Sequence, residues 1–118
     1  MFEIKIYETP AGNRPFEKYI EKLSKKHKTD EVTEIFNYLD KLAKFGFDIN
    51  HKFKANAIKN IQDDIYELRP SSSRIFFFCY IDGVFIILHG WEKKQNTTDP
   101  NEIKKAIKEK KDFIKEQK

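Results

Sequence analysis

The chain has 118 residues, a formal net charge of +4 at pH 7 and one cysteine, Cys79. A chain of this length makes one domain that buries a core without covalent staples, and a single thiol excludes an internal disulfide and a cysteine-based zinc site. No apolar run approaches the roughly 20 residues of a membrane span, and the opening "MFEIKIYETP" lacks the basic start and apolar stretch of a signal peptide, so the sequence reads as soluble and cytoplasmic, with no membrane partner.

Residues 2–7, "FEIKIY", alternate apolar and charged side chains, the period of a half-buried strand. The breaker "TPAGNRP" follows. From Pro15, acceptable in a first turn, Phe16, Tyr19, Ile20 and Leu23 form a helical stripe. Thr29 or Asp30 can cap a second helix, striped by Val32, Ile35, Phe36, Leu39, Leu42 and Ala43 and stopped by Gly46. Residues 47–63 carry polar clusters without a clear period and read as a surface loop with at most a short helical turn. Three strands are then expected over about 64–69, 74–81 and 84–91, the last two joined through Asp82-Gly83 in a two-residue type I′ turn. Past Asp99-Pro100 the chain turns helical again, with Ile103, Ala106, Ile107 and Ile114 facing inward. The fold class is α+β: a small antiparallel or mixed sheet with two N-terminal helices on one face, and a C-terminal helix, in one domain over residues 1–118.

Charge is unevenly placed. Residues 101–118 hold seven lysines against four acids, while two of only three arginines in the chain, Arg69 and Arg74, lie in the most apolar region. A planar, permanently charged fork suits phosphate or carboxylate, so those two positions draw attention.

The Asp82-Gly83 turn sets a register in which Phe76 faces His89 and Arg74 faces Trp91, so all four share one face of the sheet. The other face then shows Ile75, Phe77, Cys79, Ile86 and Leu88 and is left for the helices. The first face carries Phe78, Tyr80, Phe85 and Ile87 near the turn. A four-residue "PSSS" connection puts Glu67 opposite Phe76 and Arg69 opposite Arg74, and Lys93 and Lys94 leave the last strand at the same end. Fixed arginines, mobile lysines, an imidazole and an indole suit a phosphodiester flanked by an unpaired base. Each member also has a plainer reading. The arginines can pair with Glu67, Glu92 or Asp64 in a structural network, His89 can be a satisfied buried histidine, Trp91 can be edge packing, and the lysine pair can be a solvated strand end.

The segments "IYELRP", "SRIFFFCYIDG" and "FIILHGWEKKQNTTDPNEIKKAI" resemble the RelE/ParE toxin superfamily, in particular the HigB-like, phage-derived branch of type II toxin–antitoxin systems. The matching features are Tyr66 to Arg69, Arg74, Leu88 to Gly90, Lys93-Lys94 and the helix led by Thr97 to Pro100. The resemblance implies a RelE-like fold and a ribosome-dependent mRNA endoribonuclease. Such an enzyme uses no metal or cofactor, attacks the phosphate with the ribose 2′-hydroxyl, and is neutralised by a cognate antitoxin, often a HigA-like helix-turn-helix protein. Residues carried over as catalytic are Arg69, Arg74, His89, Lys93 and Lys94; Trp91, Glu67, Lys104 and Lys105 are expected to contact RNA. In this reading the arginines hold the scissile phosphate, His89 or a lysine takes the 2′-OH proton, a lysine assists the leaving oxygen, and Glu67 is a reserve base. Two alternatives share the fold: a non-enzymatic growth inhibitor that binds gyrase or another protein, and an inactive remnant that only binds its antitoxin.

Overall fold

Apolar residues recurring every three or four positions build two N-terminal helices, α1 (Pro15–Lys25) and α2 (Thr29–Phe45), in the computed structural model, which describes residues 1–117. Strand β1 (Glu3–Ile6) precedes them. A 3₁₀ turn (Gly46–Asp48) and one turn of helix, α3 (Ile49–Lys52), follow, and then come β2 (Ile58–Gln62), β3 (Ile65–Leu68), β4 (Ser73–Ile81), β5 (Val84–Glu92) and α4 (Pro100–Glu116). The five strands form one mixed sheet in the order β1-β5-β4-β3-β2, with β1 parallel to β5 and the other neighbours antiparallel.

Both faces of this sheet are covered. Phe16, Tyr19 and Leu23 of α1 and Ile35, Tyr38, Leu39 and Leu42 of α2 pack on Leu68, Ile75, Phe77, Phe85 and Ile87. On the other face, Ile103, Ala106, Ile107, Phe113 and Ile114 of α4 cover Ile65, Phe76, Phe78, Ile86 and Leu88. Double coverage explains why β4 and β5 are almost continuously apolar, a pattern that one wet face does not allow. Asp99 caps α4 by accepting a hydrogen bond from the Asn101 amide at 2.9 Å. Among the described residues no helix is long and apolar enough to cross a membrane.

Four expectations are corrected. The loop expected over residues 47–63 contains β2, which pairs with β3 through an irregularity at Asn60/Gln62. The N-cap of α2 is Lys28, without a side-chain cap, not Thr29 or Asp30. The hairpin turn is not type I′, because Gly83 takes a positive φ of +81° while Asp82 does not. Finally, the expected pairing holds at Ser73 to Phe76 and again at Ile81↔Val84, but two bulges move the middle by one residue, giving Phe77↔Ile87, Phe78↔Ile86 and Cys79↔Phe85. A one-residue shift exchanges faces. Ile86 and Leu88 therefore lie under α4, and Phe85 and Ile87 join the α1–α2 core.

Candidate nucleic-acid interface

The chemistry collects at the end of the sheet where β4 begins and β5 ends. Register places Glu67 opposite Phe76, Phe76 opposite His89, and Arg74 opposite Trp91, as the sequence pattern required. Beyond Trp91, the Lys93 amide donates to the Ser72 carbonyl at 2.8 Å and carries the pairing one step further. This end of the face lies under the 93–99 connection and the first turns of α4: Thr98 donates to Glu67 Oε2 at 3.0 Å.

Glu67 is 2% exposed and lies between both arginines. Its Oε1 is 3.4 Å from Arg74 Nε and 3.6 Å from Arg69 Nε. Arg74 spends Nη1 on the carbonyls of Ser71 and Ser73, at 2.9 and 2.8 Å, while its buried Nε finds no hydrogen-bond partner among the described residues. Burial lowers the Arg74 pKa from the usual guanidinium value, Glu67 opposes that, and the neighbouring Arg69 adds to it. The other acids offered as partners are engaged elsewhere. Asp64 meets Lys110, and Glu92 accepts from Lys28 at 3.0 Å, an ion pair that holds the Glu92 carboxyl below its usual range and raises Lys28.

His89 is 1% exposed and has both ring nitrogens occupied by acids from α4: Nδ1 lies 2.5 Å from Glu109 Oε1 and Nε2 lies 2.9 Å from Glu102 Oε1. Phe76 meets its ring edge-on, with centroids 5.4 Å apart. Neither acid was singled out from the sequence. A signal was present, since Glu102 and Glu109 are seven residues apart on the stripe that includes the fully buried Ala106.

Beside this buried layer opens a cleft of about 470 Å³ between α1, the end of β5, the 93–99 connection and α4. Lys18 and Lys22 from α1, Lys94 from the connection and Lys105 from α4 line it, together with the acids Glu92, Asp99 and Glu102. Trp91 and Gly90 also contribute to its wall, and the Trp91 Nε1 donor is buried without a partner among the described residues. Of the expected site residues, the fold therefore brings Trp91, Lys94 and Lys105 to the cleft and gathers Glu67, Arg69 and Arg74 into an ion network. His89 stands behind Glu102, while Lys93 and Lys104 do not line the opening. Lys18 and Lys22 escaped sequence reasoning because α1 also carries the outward Lys25 and nothing in the spacing marks these two.

Two tyrosines border the region. Tyr19 exchanges a 2.5 Å hydrogen bond with buried Ser73, and burial pushes its pKa up to about 12. Tyr7, under α4 near Asp112, is pushed up to about 12 by burial and then by the surrounding acids. Among the described residues no three His, Cys, Asp or Glu side chains are grouped to hold a metal ion.

A family model described as "Phage derived protein Gp49-like" matches residues 18–111. The matched span includes every cleft-lining residue except Pro15. An uncharacterized protein of Aquifex aeolicus (strain VF5) is 33% identical over 61 residues, an alignment that covers 52% of this chain and 45% of that relative.

Proposed function

Since the chain belongs to the Gp49-like family of phage-derived proteins, we propose that it is the toxin of a toxin–antitoxin pair and acts as a metal-independent endoribonuclease on messenger RNA at the ribosome. Its partner in this reading is a helix-turn-helix antitoxin. The observation that carries the proposal is the cleft: four lysines from three separate segments line it beside Trp91 and outnumber its three acids.

Lysines supply charge for a phosphodiester without fixing its sequence, and the part of the wall that Trp91 contributes is an apolar surface for an unstacked base. Cleavage needs little more than positioning and charge. The ribose 2′-oxygen attacks the adjacent phosphorus, the P–O5′ bond breaks, and the products end in a 2′,3′-cyclic phosphate and a 5′-hydroxyl. Lys94 and Lys105 offset the charge that develops on the phosphoryl oxygens. Arg69 keeps about a quarter of its side chain exposed and extends the cationic surface, whereas Arg74 and Glu67 hold the strand ends beneath it. His89 acts through Glu102 and Glu109, not directly.

One observation favours the second reading, a growth inhibitor that binds a protein target: His89, the expected imidazole of the site, is 1% exposed and closed off by two acids. Inducing the chain in bacteria and sequencing RNA ends separates the two. The ribonuclease reading expects growth arrest with new 5′-hydroxyl ends inside coding regions. Arrest with intact messages contradicts it and favours the protein target, and absence of arrest favours an inactive antitoxin-binding remnant.

A further inference from the structure

Resting on the ribonuclease reading, we propose that Glu102 is the proton acceptor for the RNA 2′-hydroxyl, with His89 and Glu109 as positioning residues behind it. Three carboxylates line the cleft, and two are already employed. Glu92 is bound to Lys28 at 3.0 Å, which stabilises its ionised form and makes it a poor base. Asp99 caps α4 through the Asn101 amide and is held by the start of the helix.

Glu102 differs from both. Its side chain is 28% exposed, and its bond to His89 uses Oε1, so the second oxygen is not committed to the imidazole. Behind it, an almost fully buried imidazole connects to Glu109, which is 6% exposed. A general base must be fixed in place and reachable, and this arrangement provides both.

A proton count gives the line its direction. Each of its two contacts, Glu102 to His89 and His89 to Glu109, requires one hydrogen, so the three groups share two protons across those contacts. With only those two, the three groups together carry one negative charge. Accepting the 2′-OH proton on Glu102 takes them from one negative charge to neutral. The 2′-oxygen then bonds to phosphorus, the P–O5′ bond breaks, and the 5′-oxygen takes a proton from the Lys94 ammonium at the rim. Proton return from Glu102 to Lys94 through solvent restores both groups.

A clamp that merely pins α4 to the sheet predicts different behaviour, and steady-state kinetics of the full chain on ribosomes programmed with a defined mRNA distinguish them. Glu102→Gln preserves size and hydrogen bonding but cannot accept a proton. The expected result is a fall in kcat of about 10²- to 10⁴-fold with KM and unfolding temperature unchanged. Glu102→Asp should recover part of the loss, and Glu109→Gln should lower kcat less, also without changing KM. Wild-type kcat in Glu102→Gln overturns the proposal and leaves the ribonuclease reading standing. A loss that follows the unfolding temperature and is not restored by Asp also overturns it, in favour of the clamp. A wild-type chain that does not cut removes both readings together.

Discussion

Glu67 offsets the repulsion between two arginines that approach each other across neighbouring strands. Its carboxylate is buried and lies within 3.6 Å of both guanidinium groups, and Arg74 is itself 8% exposed. Removing one member of a buried pair leaves the other unpaired in a poorly solvated site. Glu67→Gln is therefore expected to destabilise the fold by about 3 kcal/mol, read as a lower urea midpoint with an unchanged denaturant slope. The tyrosines set a pH limit at the alkaline end. Tyr7 and Tyr19 have folded-state values raised to about 12 from an ordinary 10.0, so on raising the pH the unfolded chain releases these protons first. Their contribution is complete below pH 10 and is lost as the pH rises from about 10 to about 12. Urea midpoints at about pH 9 and pH 11 test this, with the drop expected to shrink in Tyr19→Phe.

At the scale of elements, the docking of α1 on β5 depends on a missing side chain. A Cβ on Gly90 would lie 2.5 Å from the Tyr19 ring and 2.8 Å from Ile75 Cδ1, both packed in the α1–α2 core. Gly90→Ala should cost about 1–3 kcal/mol by overpacking, measured by chemical denaturation, and should also disturb the cleft that Tyr19 and Gly90 line. Most elements were legible from their patterns: α1 and α2 from three-four spacing, β4 and β5 from apolar runs around Asp82-Gly83, and α4 from Asp99-Pro100. Strand β2 was not, because "IKNIQ" places its isoleucines three apart and its pairing carries an irregularity, so it shows no two-residue alternation. The bulge beside Leu88 was hidden for a different reason. Val84 to Leu88 is uniformly apolar and buried on both faces, so a one-residue slip leaves no trace in the sequence. The charged end of the hairpin survived because the second bulge cancels the first, keeping Arg74 opposite Trp91 and Phe76 opposite His89. What periodicity could not supply was the meeting of α4 with β5, which closes Glu102 and Glu109 on His89.

For the whole molecule, a sheet covered on both faces leaves its chemistry at one end, where the two helical layers and the 93–99 connection meet. The net charge of +4 is modest, but the fold concentrates Lys18, Lys22, Lys94 and Lys105 around one opening. Lysines recruited from α1, the connection and α4 come together only when the chain is folded and outnumber the three acids of the cleft by one, whereas Lys108 and Lys111 are exposed on α4 outside it. Binding through phosphates releases counterions, so affinity should fall steeply with salt in proportion to the lysines engaged. The most direct measurement is the affinity of a fluorescent single-stranded oligoribonucleotide over a salt series for the wild type, Lys18→Glu/Lys22→Glu and Lys108→Glu/Lys111→Glu. The cleft variant should bind about tenfold or more weakly with a shallower salt slope, and the variant outside the cleft should stay near wild type. Equal weakening of both variants, or no change in the cleft variant, would contradict an RNA site over Trp91.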